Sequence, residues 1–205
     1  MTEREIRRLG VFGGTFDPLH IGHLVAASEV RHALALDQVL FVPTGMPWQK
    51  EGRAPAEDRF MMTTLAVADH PGFAVSRAEL DRRGPTYTID TMAELKAFYG
   101  GDTELFFIAG SDAVLNLGTW HRVDELGQLC RIAAVKRAGA DLSGFQPTPG
   151  WPQVIEVDMP RIDVSSTAIR ARVAAGRSID FLVPAPVVRY IAARKLYRGG
   201  LDAPG

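Results

Sequence analysis

The sequence predicts an α/β fold: a doubly wound, mostly parallel sheet with a small helical part towards the C-terminus. Three observations predict it. Short apolar runs alternate along the chain with segments of helical period. The first apolar run ends in a glycine-rich turn that opens into a helix. The chain has 205 residues, 46% of them apolar, which fits one domain with its own core. Strands that alternate with helices pair in parallel and are covered on both faces. Such sheets bind ligands beyond the carboxyl ends of their strands, at a switch point in the strand order.

The elements follow in order. Leu9–Gly13 reads as a buried strand. Ala26, Val30, Ala33 and Leu34 then recur at helical spacing and mark one face of a helix. Val39–Val42 is a second strand, stopped by Pro43. The stretch Gly45–Pro55 is rich in Gly, Pro and charge and reads as a long, functional loop. Met61, Leu65 and Ala68 mark a helix face, Phe73–Val75 a strand, and Met92, Leu95 and Tyr99 a further helix. Leu105–Ile108, Ile132–Val135 and Val154–Val157 complete the strands. Residues 138–152 read as an irregular surface loop. Helices are expected over about 166–175, with Gly176 at the C′ position, and over about 185–196. The reading is of a single domain over 1–205, with a core at about 8–160 and a helical region at about 164–198.

Composition narrows the function. A single cysteine, Cys130, excludes an internal disulfide and a cysteine-built zinc site. With no apparent His partner, it reads as packing. No apolar run approaches the roughly 18 residues of a membrane span, and the N-terminus has no signal-peptide pattern, so a cytoplasmic protein is expected. The net charge of −1 argues against general nucleic-acid binding.

The chemistry sits in Gly13-Gly-Thr-Phe-Asp-Pro-Leu-His-Ile-Gly-His23. Two glycines at a strand end let backbone N–H groups approach a ligand closely. The helix that follows offers its N-terminus to an anion. His20 and His23 can both donate hydrogen bonds to phosphate oxygens there. Neither a Walker loop nor a G-x-G-x-x-G fingerprint is present. No further ligand pattern supports a metal on His20 and His23. A second hydroxyl-rich stretch, Val164-Ser-Ser-Thr-Ala-Ile-Arg170, starts a helix. One of its hydroxyls can cap that helix, the others can hold phosphate, and Arg170 adds a charged fork about a turn later. Arg82 and Arg83, beside Gly84, read as a solvated turn.

The first motif resembles the T/HxGH nucleotidyltransferase superfamily, and residues 164–170 are similar to its I-S-S-T-x-I-R mark. Three further stretches narrow the resemblance to the bacterial nicotinate-mononucleotide adenylyltransferase family. They are Gly84-Pro-Thr-Tyr-Thr-Ile-Asp-Thr91, Phe107-Ile-Ala-Gly-Ser-Asp112 and Trp120-His-Arg-Val-Asp-Glu-Leu126. Together the similarity runs from about Leu9 to Tyr197. It implies a Rossmann-like sheet of the HxGH nucleotidyltransferase type. One stretch departs from the pattern: Pro47-Trp-Gln-Lys50 stands where the family often has Pro-Pro-His-Lys.

The resemblance implies the following roles. Gly13, Gly14, Thr15 and Phe16 line the ATP site, with Thr15 on phosphate. His20 and His23 bind the phosphates at the reaction centre, together with Lys50. Ser166, Thr167 and Arg170 hold the β- and γ-phosphates. Thr88 and the backbone at His121 meet the nicotinate carboxylate, Trp120 stacks on the pyridine ring, and Asp112 contacts the bound nucleotide. On residues alone, Trp120 also reads as a core aromatic, Asp112 as a cap of the helix after its strand, and Thr88 as an N-cap.

The reaction implied joins nicotinate mononucleotide to ATP, with magnesium arriving on the ATP, no metal site built by the protein, and no nucleic-acid or membrane partner. Other readings are an adenylyltransferase that prefers nicotinamide mononucleotide or phosphopantetheine, a cytidylyltransferase, and a silent nucleotide sensor. The oligomeric state is not set by the sequence.

Overall fold

Six apolar segments pair into one parallel sheet in this computed structural model, which describes residues 6–45, 54–136, 142 and 144–198. The strands are β1 (Arg8–Gly14), β2 (Gln38–Pro43), β3 (Phe73–Val75), β4 (Glu104–Gly110), β5 (Cys130–Lys136) and β6 (Val154–Asp158). Their spatial order is β3-β2-β1-β4-β5-β6, so the chain winds outward from β1 in one direction and then, from β4, in the other. The switch point lies between β1 and β4, where helices leave towards opposite faces and a crevice opens.

The helices are α1 (Ile21–Ala33), α2 (Ala56–Val67), α3 (Ala78–Asp81), α4 (Thr88–Tyr99), α5 (Ser111–Leu115), α6 (Val123–Leu129), α7 (Ser166–Ala174) and α8 (Ala185–Ala193). A 3₁₀ turn, Leu117–Thr119, joins α5 to α6. Among the described residues no helix is long and apolar enough to cross a membrane.

Strand side chains alternate between two cores, as the two-residue period of a strand requires. Val39, Phe41, Phe106, Ile108, Ala133 and Val135 enter the core that also holds Ala26, Val30 and Met62 and the helices α7 and α8. Leu9, Val11, Leu40, Leu105, Phe107 and Ile132 enter the opposite core, with Ile89 and Met92 of α4 and Leu126 of α6. Cys130 is buried in this second core, where desolvation pushes its thiol up to about 12. It is a packing residue, as expected.

Three expectations need adjustment. On α2 the face is not the one expected: Met61 is 41% exposed, while Asp58, Arg59 and Thr63 are buried. Apolar periodicity misses this face because its polar groups find partners far along the chain. Helix α8 stops at Ala193, short of 196, because Lys195 and Tyr197 adopt left-handed backbone (φ 53° and 60°) as the chain turns back. The loop over 138–152 is not wholly superficial: Leu142 is buried, and Phe145 and Trp151 pack against the second core. The end of α7 matches expectation, with Gly176 at φ +65° following the C-cap.

Arg59 is 1% exposed, and its guanidinium donates to three carbonyls. They belong to Ala54 (3.3 Å), Thr15 (2.9 Å) and Gly45 (3.0 Å). It thereby ties the turn after β1 to both flanks of the segment between β2 and α2. Substituting Arg59→Met keeps the bulk and removes all three donors. A buried acceptor left without a partner costs roughly 1–3 kcal/mol, so the loss of stability should be about 3 kcal/mol or more. Urea unfolding measures it; an unchanged midpoint would show that Arg59 does not clamp these loops.

Candidate active site

The turn Thr15–His20 leaves β1 at the switch point and carries the chain into α1. Phe16 takes a left-handed backbone (φ 47°) and is 3% exposed. Its ring meets Phe12, Phe41 and His23 edge-on, so Phe16 lies beneath the histidines as their support rather than in an open cleft. The glycines have a local reason too. A Cβ on Gly14 would lie 2.9 Å from the Phe16 ring, and one on Gly13 would lie 3.1 Å from Phe107.

His20 is the N-cap of α1 and His23 lies in its first turn. Their rings stack at 3.7 Å, with 26° between the planes. The His20 backbone N–H donates to His23 Nδ1 at 3.2 Å. Because Nδ1 accepts, the neutral ring carries its proton on Nε2, which becomes the donor it can present to a ligand. The first free amide of α1, Ile21 N–H, donates to Leu182 O at 3.0 Å, so the segment before α8 is fastened to the helix start.

The second motif meets the first through backbone and a buried acid. Ser165, not Ser166, caps α7 by accepting from Ala168 N–H at 3.2 Å. Ser166 donates its hydroxyl to Pro18 O at 2.9 Å. Arg170 donates to Asp17 O at 2.8 Å and stands 3.8 Å from the Asp17 carboxylate. Thr167 accepts from Arg170 at 3.3 Å, which leaves its own hydroxyl hydrogen for another acceptor. Asp17 is 2% exposed, and its Oδ1 also accepts from Ala54 N–H (3.2 Å) and Tyr197 O–H (2.6 Å). Burial, and then the carboxylate it bonds, raise the proton affinity of the Tyr197 hydroxyl, so it stays a donor.

A cleft of about 300 Å³ opens beside the glycine turn. Gly13, Gly14, Thr15 and Thr44 line one side, and Glu79, Thr86, Thr88, Phe107 and Trp120 line the rest. Next to it, a pocket of about 400 Å³ lies between Thr86–Thr88 and Thr119–His121, with the Tyr87 and His121 rings stacked at 4.3 Å. Thr86, Thr88 and Trp120 line both. Trp120 stands perpendicular to Phe107 at 5.4 Å and packs on the second core while it lines the cleft, so it is a core aromatic as well as a cleft residue. Thr88 is the first residue of α4 and not its cap; Tyr87 holds that position, without a side-chain cap.

The structure thus brings His20, His23, Ser166, Thr167 and Arg170 to one turn, and Gly13, Gly14, Thr15, Thr88 and Trp120 to one cleft. Asp112 is exposed in the first turn of α5 and does not cap it; its neighbour Ala113 lines the cleft instead. His121 contributes to the adjoining pocket. Lys50, with Trp48 and Gln49, lies outside the described residues.

Sequence reasoning missed Asp17, Arg59, Glu79, Thr86 and Tyr197. Asp17 and Thr86 stood inside quoted motifs, but nothing local marked the others. It also misread Arg82. Rather than a solvated turn, Arg82 donates to Thr91 Oγ1 at 3.0 Å and to Glu94 at 2.6 Å. Thr91 in turn donates to buried Glu79 at 2.9 Å. Burial holds the Glu79 carboxyl above the ordinary carboxylate range, against the pull of the Thr91 and Thr86 hydroxyls and the Arg82 charge. Among the described residues no three His, Cys, Asp or Glu side chains gather as a metal site.

A family model described as cytidylyltransferase-like matches residues 11–172. A relative from Saccharopolyspora erythraea, named "Probable nicotinate-nucleotide adenylyltransferase", is 52% identical over 97% of this chain and 93% of its own. One of the same name from Corynebacterium kroppenstedtii is 52% identical over 96% of this chain and 93% of its own. Among solved structures, the nicotinic acid mononucleotide adenylyltransferase of Plasmodium falciparum complexed with NaAD superposes with a TM-score of 0.78 at 18% identity. That match covers 96% of this chain and all of that one, and shows the shared fold.

Substituting Tyr197→Phe removes one donor from the buried Asp17 carboxylate. Stability should fall by about 1–3 kcal/mol in urea unfolding. A midpoint equal to that of the parent would mean that Tyr197 does not anchor the turn.

Proposed function

The chain belongs to the cytidylyltransferase-like family, and on that premise we propose that it transfers AMP from ATP to nicotinate mononucleotide, forming nicotinate adenine dinucleotide and pyrophosphate. The observation that carries this reading is the joining of the glycine–histidine turn to a cleft walled by Thr86, Thr88 and Trp120. Relatives about 50% identical over nearly the whole chain bear the corresponding name.

The nucleophile is an oxygen of the mononucleotide's phosphate, which is anionic near neutral pH. It needs neither a general base nor a protein nucleophile. It attacks the α-phosphorus of ATP, the new P–O bond forms, and the bond to the pyrophosphate leaving group breaks. The protein supplies positioning and charge stabilisation. His23, with Nδ1 engaged by the backbone, offers Nε2–H to an α-phosphate oxygen. His20, stacked on it, serves the same centre. Arg170, held at the turn by Asp17, meets the leaving phosphates with Thr167. Lys50 is assigned to the same phosphates from its place in the sequence. Trp120 offers a face to the pyridine ring, and the Thr88 region and the backbone at His121 receive its carboxylate.

Magnesium brought with the triphosphate would neutralise charge on its phosphates. The cleft wall offers a single carboxylate, Glu79, and among the described residues no three His, Cys, Asp or Glu side chains gather as a metal site, so the ion would be held chiefly by phosphate oxygens and water.

Pyrophosphate release with ATP and magnesium tests the assignment. Release should be strong with nicotinate mononucleotide, weak with nicotinamide mononucleotide and absent without acceptor. A preference for the amide would overturn the acceptor, and release with neither would overturn the reaction. His23→Ala should lower kcat by about 10²-fold or more, the scale of one oxyanion donor, with the fold kept. A rate within a few-fold of the parent would remove His23 from the chemistry.

A further inference from the structure

Glu79 is the one charged side chain among the described residues that line the cleft. An acid there needs a reason. The acceptor proposed above carries a phosphate at one end and a ring carboxylate at the other, and a second anion beside either repels it. Holding Thr91 does not require the charge, since a neutral amide oxygen would accept the same hydroxyl. The group is only 9% exposed, and burial opposes its ionisation.

The middle of the acceptor has the opposite chemistry. Its ribose presents a vicinal diol, two O–H donors side by side, and a carboxylate receives such a pair on its two oxygens. The same pairing of an acid with ribose hydroxyls recurs in dinucleotide-binding folds. Glu79 has the capacity. A carboxylate offers about four acceptor sites, and the Thr91 hydroxyl uses one of them.

Glu79 also has the position. It lines the compartment that includes Gly13–Thr15 but not the pocket between Tyr87 and His121, and Thr86 lines both. The carboxylate is braced from behind, because Arg82 donates to Thr91 and Thr91 donates to Glu79. We propose that Glu79 is the ribose-recognising residue of the acceptor site, accepting hydrogen bonds from the 2′- and 3′-hydroxyls of the pyridine mononucleotide. This rests on the acceptor assignment above.

The test pairs Glu79→Gln with nicotinate mononucleotide and its 2′-deoxy and 3′-deoxy forms. The readout is the ratio of kcat/KM for the ribo and deoxy acceptors within one protein preparation, which is independent of the folded fraction. The parent should lose about tenfold or more with at least one deoxy acceptor, because a buried acceptor is then left unpaired. The variant should show a raised KM for the ribo acceptor, a KM for ATP within about twofold, and a deoxy penalty reduced to about two- to threefold. A deoxy penalty that persists in full in the variant overturns the assignment, as does a parent indifferent to both deoxy forms. Should the glutamine variant not fold, Glu79→Asp, with its charge kept and its reach shortened, is read by the same ratio. A parent that turns over no pyridine mononucleotide overturns the acceptor reading itself, a result distinguishable from the other two.

Discussion

The carboxylate of Asp17 is the constraint on which the rest of the site depends. A charge this deeply buried is tolerated only with partners around it. Here they come from three separate parts of the chain: the amide of Ala54 before α2, the hydroxyl of Tyr197 after α8, and the guanidinium of Arg170 on α7. The residue itself lies in the turn between the glycines and the histidines. Gathering these partners on one carboxylate therefore fixes where the turn after β1, the second motif and the C-terminal segment stand relative to one another. Arg59 completes the arrangement from below by capturing the carbonyls of Thr15, Gly45 and Ala54. The segment that carries Lys50 thus begins and ends on one guanidinium that also holds the phosphate turn.

This explains why the small C-terminal helices belong to the chemistry. Ser166 and Arg170 reach back to the carbonyls of Pro18 and Asp17, and Tyr190 and Arg194 reach Asp58 on α2 at 2.7 and 3.0 Å. All but the Ser166 contact are charge-assisted, the kind whose loss is most costly. Arg170 is consequently held at the turn already oriented, with little side-chain freedom to lose in the role proposed for it.

What was legible in the sequence follows from the range of the interactions. Each strand of the sheet could be read because a strand covered on both faces must be apolar throughout, a local property. The glycine–histidine turn and the capped helix at Ser165 were legible for the same reason: each is a short-range arrangement of backbone and side chain. The face of α2 was not. Arg59 finds Thr15 44 positions away, and Asp58 finds Arg194 136 positions away. A buried polar group whose partner lies that far along the chain looks like a surface residue until the fold closes. Glu79 went unnoticed and Arg82 read as a solvated turn because their pairing, 9–12 positions along the chain, runs through Thr91 rather than through each other.

The two halves of the site accordingly differ in kind. On the proposed phosphate side the protein offers donors: an imidazole whose Nδ1 is engaged by the backbone, and Arg170. On the acceptor side it offers an aromatic wall, hydroxyls and one braced acid. A triphosphate gains little from the second set and is repelled by its acid, while a pyridine ring and a ribose gain little from the first. In the proposed function the first set therefore serves the phosphates of both substrates and the second set the ring and ribose of the acceptor. The switch point between β1 and β4 suits this task because its two sides are built from different βα loops. The turn after β1 supplies the donors, and the segments leading into α4 and α6 supply the wall. Each side can hold its own polarity without compromising the other.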